Sequence, residues 1–123
     1  MIQGQILKAF IPTMHPDKAR KFYENVLGLK FLSGDKYGSE FDSNGSLLRI
    51  SVVEKLTPQT FTVLGWNVDD IVTMIGSLNK KGVVFERYDF LDQDKDKIWI
   101  APGGSKVAWF KDPDGNLLSL TQE

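Results

Sequence analysis

The spacing of apolar and polar positions changes several times along this chain, and each change predicts an element. Residues 6–13 (ILKAFIPT) read as a strand. In residues 15–28, Ala19, Phe22, Tyr23 and Val26 recur at i, i+3, i+4 and i+7, which places them on one face of a helix. Pro16 suits the first turn of that helix, Asp17 suits its positive end, and Gly28 stops it. Residues 29–35, 37–42 and 46–53 then read as three short strands. The turn Asp42-Ser43-Asn44-Gly45 joins the last two.

After a linker at residues 54–58 the same order returns. Residues 60–68 read as a strand, and residues 69–82 as a helix with an aspartate start and a glycine stop. Its apolar face is Ile71, Met74, Ile75 and Leu78. Residues 83–90, 106–110 and 117–121 read as strands. Gly28-Leu29-Lys30-Phe31 corresponds to Gly82-Val83-Val84-Phe85 at an offset of 54 residues, and Asp42-Ser43-Asn44-Gly45 to Asp112-Pro113-Asp114-Gly115 at an offset of 70. The larger offset marks an insertion in the second half, within residues 91–105. The pattern therefore predicts an α+β fold of two tandem βαβββ modules in a single domain, residues 1–123. Module one spans 1–54 and module two 59–123. The helices fall near 16–27 and 70–81, each burying its apolar face on a sheet.

Composition narrows the function. A net charge of −1 favours neither a nucleic acid nor a membrane surface as partner. With no cysteine, disulfides, thiol catalysis and cysteine-ligated metals are excluded. No apolar run approaches the length of a membrane span, and the first residues lack the pattern of a signal peptide, so a cytoplasmic location is expected.

Several eye-catching residues have plain readings. His15, the lone histidine, falls at a strand–helix junction and is expected at the exposed edge of the helix. Phe22 and Tyr23 read as core. Asp112 and Asp114 belong to a turn in which Pro113 fixes φ and Gly115 permits positive φ. The alternating charges of residues 92–97 (DQDKDK) read as solvated loop, and residues 101–105 (APGGS) as a turn without the context of a phosphate loop. If Val63 points into a pocket, alternation turns Gly65 and Asn67 the same way and Trp66 toward the helix. Trp99, in the inserted segment, is either a stacking wall or an anchor for its loop. Trp109 is either pocket wall or core.

Three stretches, DKARKFYENVLGLKF, WNVDDIVTMIGSLNKKGVVFE and KVAWFKDPDGNLLSL, resemble the vicinal oxygen chelate superfamily, which includes glyoxalase I, bleomycin-resistance proteins and extradiol dioxygenases. The resemblance covers residues 5–122. It implies that the modules curl into an open, incomplete barrel around a ligand cup. In metal-dependent members, four inward positions hold a divalent ion through His, Gln or Glu. Carried over one at a time, they fall on Lys8, Arg49, Val63 and Ser119, and a shift of one residue brings in no His or carboxylate. The resemblance thus implies the fold, while these residues imply neither metal nor cofactor.

The expected pocket residues are Lys8, Phe10, Phe41, Arg49, Val63, Asn67, Trp99, Trp109 and Ser119. Glu40 is placed to pair with Arg49; otherwise Lys8 and Arg49 would receive an anionic group. The reading that follows is a metal-independent small-molecule binding protein with an anionic or aromatic ligand, pairing as a homodimer. The alternatives are a glyoxalase-like lyase or isomerase with a non-standard site, and a subunit whose role is association. Whether the chain is an enzyme stays open at this point.

Overall fold

The computed structural model describes residues 1–123, which divide into two units, Met1–Thr57 and Pro58–Glu123.

In the first unit, β1 (Lys8–Thr13) leads into α1 (Pro16–Lys21), with His15 exposed at the junction and its backbone N–H donating to Thr13 Oγ1 at 3.0 Å. The helix then widens into a π-helical turn, Phe22–Val26, closed by Leu27 N–H donating to Phe22 O at 3.0 Å. β2 (Lys30–Asp35), β3 (Gly38–Ser43) and β4 (Ser46–Val52) complete a mixed four-stranded sheet in the order β1-β4-β3-β2. β1 runs parallel to β4; the other pairs are antiparallel. The β3–β4 hairpin turns on Asn44 and Gly45, at φ 49° and 93°, as a tight two-residue turn requires. Gly38 is also required: a Cβ there would drive into the Ile50 carbonyl.

One face of this sheet carries the core. Ile11, Thr13, Phe41, Leu48 and Ile50 are buried there together with Ala19 and Tyr23 from the helical segment. The Tyr23 and Phe41 rings lie 6.2 Å apart, and Phe31 meets Phe41 edge-on at 5.7 Å.

The second unit repeats the arrangement. β5 (Leu64–Asn67), β7 (Lys106–Lys111) and β8 (Leu117–Gln122) pair with a short edge strand, β6 (Trp99–Ile100), in the order β5-β8-β7-β6. Again the first pair is parallel. Neither sheet closes on itself. α2 (Ile71–Lys80) starts at Asp70, whose carboxylate accepts the Thr73 backbone N–H at 3.1 Å and the Thr73 hydroxyl at 2.9 Å. The Gln122 side chain accepts the Ile71 N–H at 2.9 Å and so ties the helix start to the end of β8. Ile71, Ile75 and Leu78 are buried, as are Ala108, Phe110, Leu118 and Leu120 of the sheet. Met74, expected on this apolar face, is 40% exposed, because it sits at the margin of the buried stripe.

The strand expected at residues 83–90 does not form. Its place at the sheet edge is taken by β6, from the segment expected to be inserted loop. The strand expected at 60–68 is confined to Leu64–Asn67, although Val63 N–H and Val68 N–H still donate to Leu117 O and Thr121 O on β8.

Candidate functional site

Strand register decides which residues share a face. In the first unit Phe10 is paired with Arg49, and Arg49 with Glu40, so Lys8, Phe10, Arg49 and Glu40 lie on the face opposite the core. Lys8 Nζ lies 2.6 Å from Glu40 Oε1, an oxygen that is buried and accepts no hydrogen bond of regular geometry. The lysine is therefore its electrostatic partner. The Arg49 guanidinium lies 3.5 Å from Asp35 at the end of β2. The sequence expectation of a Glu40–Arg49 pair is corrected here. Glu40 stands opposite Arg49 in the ladder, but its ion pair runs diagonally across β4 to Lys8. Both cations thus have carboxylate partners within the unit.

Phe41 requires a second correction. It lies between Glu40 and Asp42 on β3, so alternation turns it to the core face, where it is fully buried between Tyr23 and Phe31. It is a core residue and does not line a ligand site on the other face.

In the second unit, Gly65 pairs with Ser119 and Ser119 with Trp109. Val63, Asn67, Ser119 and Trp109 therefore share a face, and Trp66 lies on the other with Leu120 and Ala108. Gly65 is demanded by closeness: a Cβ would come 2.5 Å from Ser119 Oγ. Trp99 joins the same face as Trp109 through its pairing with Val107.

On this face lies a recess of about 340 Å³, open to solvent, lined by Phe61, Thr62, Tyr88, Phe90, Trp99 and Trp109 among others and by no charged residue. Trp109 forms its centre. Its indole N–H donates to Thr62 Oγ1 at 3.0 Å. Trp99 lies 6.0 Å away at an interplanar angle of 35°, and Tyr88 meets Trp109 edge-on at 5.7 Å and 82°. Phe90 lies 5.4 Å from Tyr88 at an interplanar angle of 39° and is otherwise largely exposed. Partial burial, and next the nearby Glu86 carboxylate, push the Tyr88 phenol above its ordinary value of 10.0, so it stays protonated at neutral pH. Of the expected pocket residues, Trp99 and Trp109 come together here. Val63, Asn67 and Ser119 share the face without lining the recess.

The walls are held by a residue that the sequence reading passed over. Gln93, within the run expected to be solvated, is buried. Its Oε1 accepts Tyr88 N–H at 2.7 Å, and its Nε2 donates to Glu86 O at 3.0 Å and Lys97 O at 2.8 Å. Arg87 reaches the carbonyls of Gln93 and Asp94 at 3.3 and 3.0 Å. Asp94 Oδ1 accepts the backbone N–H of Asp96 and of Ile98, at 2.8 and 3.0 Å. The signal available in the sequence was a single neutral amide in a run otherwise fully charged.

The turn after β7 is explained by Asp112. Its buried carboxylate accepts the N–H of Asp114 and of Asn116, each at 2.9 Å, and the Asn116 amide at 2.9 Å. These oxygens are committed to the turn. A divalent metal does not fit the four positions carried over from the resemblance. Lys8 and Arg49 bring positive charge and donors only, Val63 has no donor atom, and Ser119 offers one weak oxygen. Nowhere in the chain do three or more His, Cys, Asp or Glu side chains gather in a way that could hold a metal ion.

The geometry can be set beside known proteins. A family model described as the Glyoxalase/Bleomycin resistance protein/Dioxygenase superfamily matches residues 5–120. No curated protein matches the chain. Among solved structures, a member of that superfamily from Sphaerobacter thermophilus is similar at TM-score 0.77, with 21% identity over 100% of both chains. A lactoylglutathione lyase from Agrobacterium tumefaciens is similar at TM-score 0.75, with 16% identity over 97% of this chain and 93% of that one. An integron cassette protein from a Halifax Harbour sewage-outfall metagenome reaches TM-score 0.74, with 16% identity over 98% and 99%. At these identities the likeness is one of fold. With the family model spanning nearly its whole length, the chain belongs to the Glyoxalase/Bleomycin resistance protein/Dioxygenase superfamily.

Proposed function

We propose that this protein binds a small, uncharged, planar aromatic molecule without a metal ion, in the recess formed by Tyr88, Phe90, Trp99 and Trp109. The observation that carries this reading is the recess itself: aromatic walls, no charged lining residue, and a central indole fixed by Thr62. Binding sites for small molecules are concave and mostly apolar with a few placed polar groups, and this recess has that character. Aromatic rings prefer offset or edge-on contacts at about 4.5–7 Å, which the exposed faces of Trp99 and Phe90 offer to an incoming ring.

The anionic alternative loses support because Lys8 and Arg49 are already paired with Glu40 and Asp35. A lyase or isomerase acting through a Lewis acid has no donor set to draw on at the four carried-over positions. We further infer a cytoplasmic homodimer; no helix is long and apolar enough to cross a membrane.

Thermal-shift measurements with a panel of neutral aromatics and a matched panel of organic anions test the proposal, since a ligand that binds only the folded state raises its melting temperature. Neutral aromatics are expected to stabilise the wild type and Arg49→Ala alike, and to lose that effect on Trp99→Ala. Stabilisation by anions that disappears with Arg49→Ala would replace this reading with the anionic one.

A further inference from the structure

We infer that Gln93 is the positioning residue of this recess: its buried amide fixes the gap between the Tyr88 and Trp99 walls and thereby decides which ring fits. The inference rests on reading the recess as the ligand site. Residues 83–98 have no strand ladder; their backbone bonds are scattered ones, such as Glu86 N–H to Trp109 O at 2.8 Å and Leu91 N–H to Tyr88 O at 3.1 Å, and side chains supply much of the remaining order. The Gln93 amide takes over that task. Its two N–H groups reach Glu86 O and Lys97 O, and its oxygen receives the N–H of Tyr88 itself. Gln93 also forms an isolated antiparallel bridge with Trp99. The amide therefore holds the Tyr88 wall directly and the Trp99 wall through Lys97, two residues before it, with the backbone bridge alongside, while the centre, Trp109, is held by β7 and by Thr62. A buried amide whose partners are all backbone groups tolerates little displacement, because each broken bond leaves a polar group without a partner.

The chemistry distinguishes glutamine from its near-isosteres. A glutamate carboxylate at position 93 accepts the Tyr88 N–H but donates to neither carbonyl; once protonated it donates to one of them again. The test uses 2-naphthol as probe, followed by tryptophan fluorescence, together with near-ultraviolet circular dichroism of the Trp99–Trp109 pair. Gln93→Ala is expected to lose most of the aromatic dichroism and to bind naphthol at least tenfold more weakly. Gln93→Glu is expected to be weak at pH 8 and to recover part of its affinity as pH falls, where the wild type stays flat. Ile75→Val, on the buried face of α2, serves as the control for general destabilisation and is expected to keep both signals. Unchanged dichroism and affinity in Gln93→Ala, or a Gln93→Glu profile as flat as the wild type, would overturn the inference. Failure of the wild type to bind naphthol would instead overturn the reading of the recess, and the dichroism comparison would still decide whether Gln93 places the walls.

Discussion

Lys8 and Glu40 sit on strands that are not neighbours, yet their side chains meet at 2.6 Å across β4. Lys8 is partly open to solvent, whereas the Glu40 oxygen it faces is buried. Exposed pairs contribute about 0–1 kcal/mol, but stripping the partner from a buried oxygen costs about 1–3 kcal/mol. Lys8→Ala is therefore expected to cost more than a surface lysine would. The double variant Lys8→Ala/Glu40→Leu should regain part of the loss. Urea denaturation of the four proteins in the cycle measures this, and strict additivity would contradict the pairing.

Phe41 supplies a contrasting test, because it was expected in the ligand site and stands in the core. Phe41→Leu is expected to destabilise the fold by about 1–3 kcal/mol, since the ring leaves a cavity against Tyr23 and Phe31. Affinity for an aromatic probe, measured on the folded fraction, should be unchanged. A loss of affinity without a loss of stability would return Phe41 to the site.

Asp70 carries a pH dependence. Hydrogen bonds from Thr73, first from its backbone N–H and then from its hydroxyl, hold the Asp70 carboxyl below its ordinary value of 3.8. A depressed carboxyl binds its proton less readily folded than unfolded. Its contribution is thus complete above the unfolded pKa, near pH 4, and is lost as pH falls through the lower folded value. Asp70→Ala is expected to lower the melting temperature at pH 7 and to flatten the acid limb of the stability profile below pH 4. A variant with an unchanged acid limb would remove the cap from the account.

Gly65 faces Ser119 so closely that a methyl group cannot enter without displacement. Gly65→Ala is expected to cost about 1–3 kcal/mol by overpacking. Ser119→Gly in the same molecule should relieve most of it. Chemical denaturation of the single and double variants checks this, and a neutral Gly65→Ala would show that the two strands part easily.

Much of the fold was legible because local chemistry and long-range packing agree. Pro16 and Asp70 open helices where they were expected, Asn44-Gly45 makes the hairpin, and Asp112 and Asn116 build their turn. Alternation also placed Trp66 on the face opposite Val63 and Asn67. The errors arose where a side chain overrode the backbone pattern. Residues 83–90 have strand-like composition, but Gln93 satisfies the backbone of Glu86 and Tyr88, and the edge position goes to Trp99–Ile100. A charged run gives no hint that one amide within it is buried. The diagonal Lys8–Glu40 pair was equally hidden, because register and side-chain length decide it and composition does not. Of the candidate site, Trp99 and Trp109 could be named from the sequence; their neighbours Tyr88 and Phe90 could not, since their place depends on the segment that Gln93 organises.

An aromatic ligand is expected to bind in the Trp99–Trp109 recess without help from a metal. Isothermal titration of 2-naphthol into protein treated with a chelator, and into the same protein supplied with zinc or nickel, decides this. One site per chain with the same affinity in both samples is expected, at a Kd of about 0.1–1 mM for so small a probe. Binding that appears only when the metal is supplied, or no binding in either sample, would contradict it.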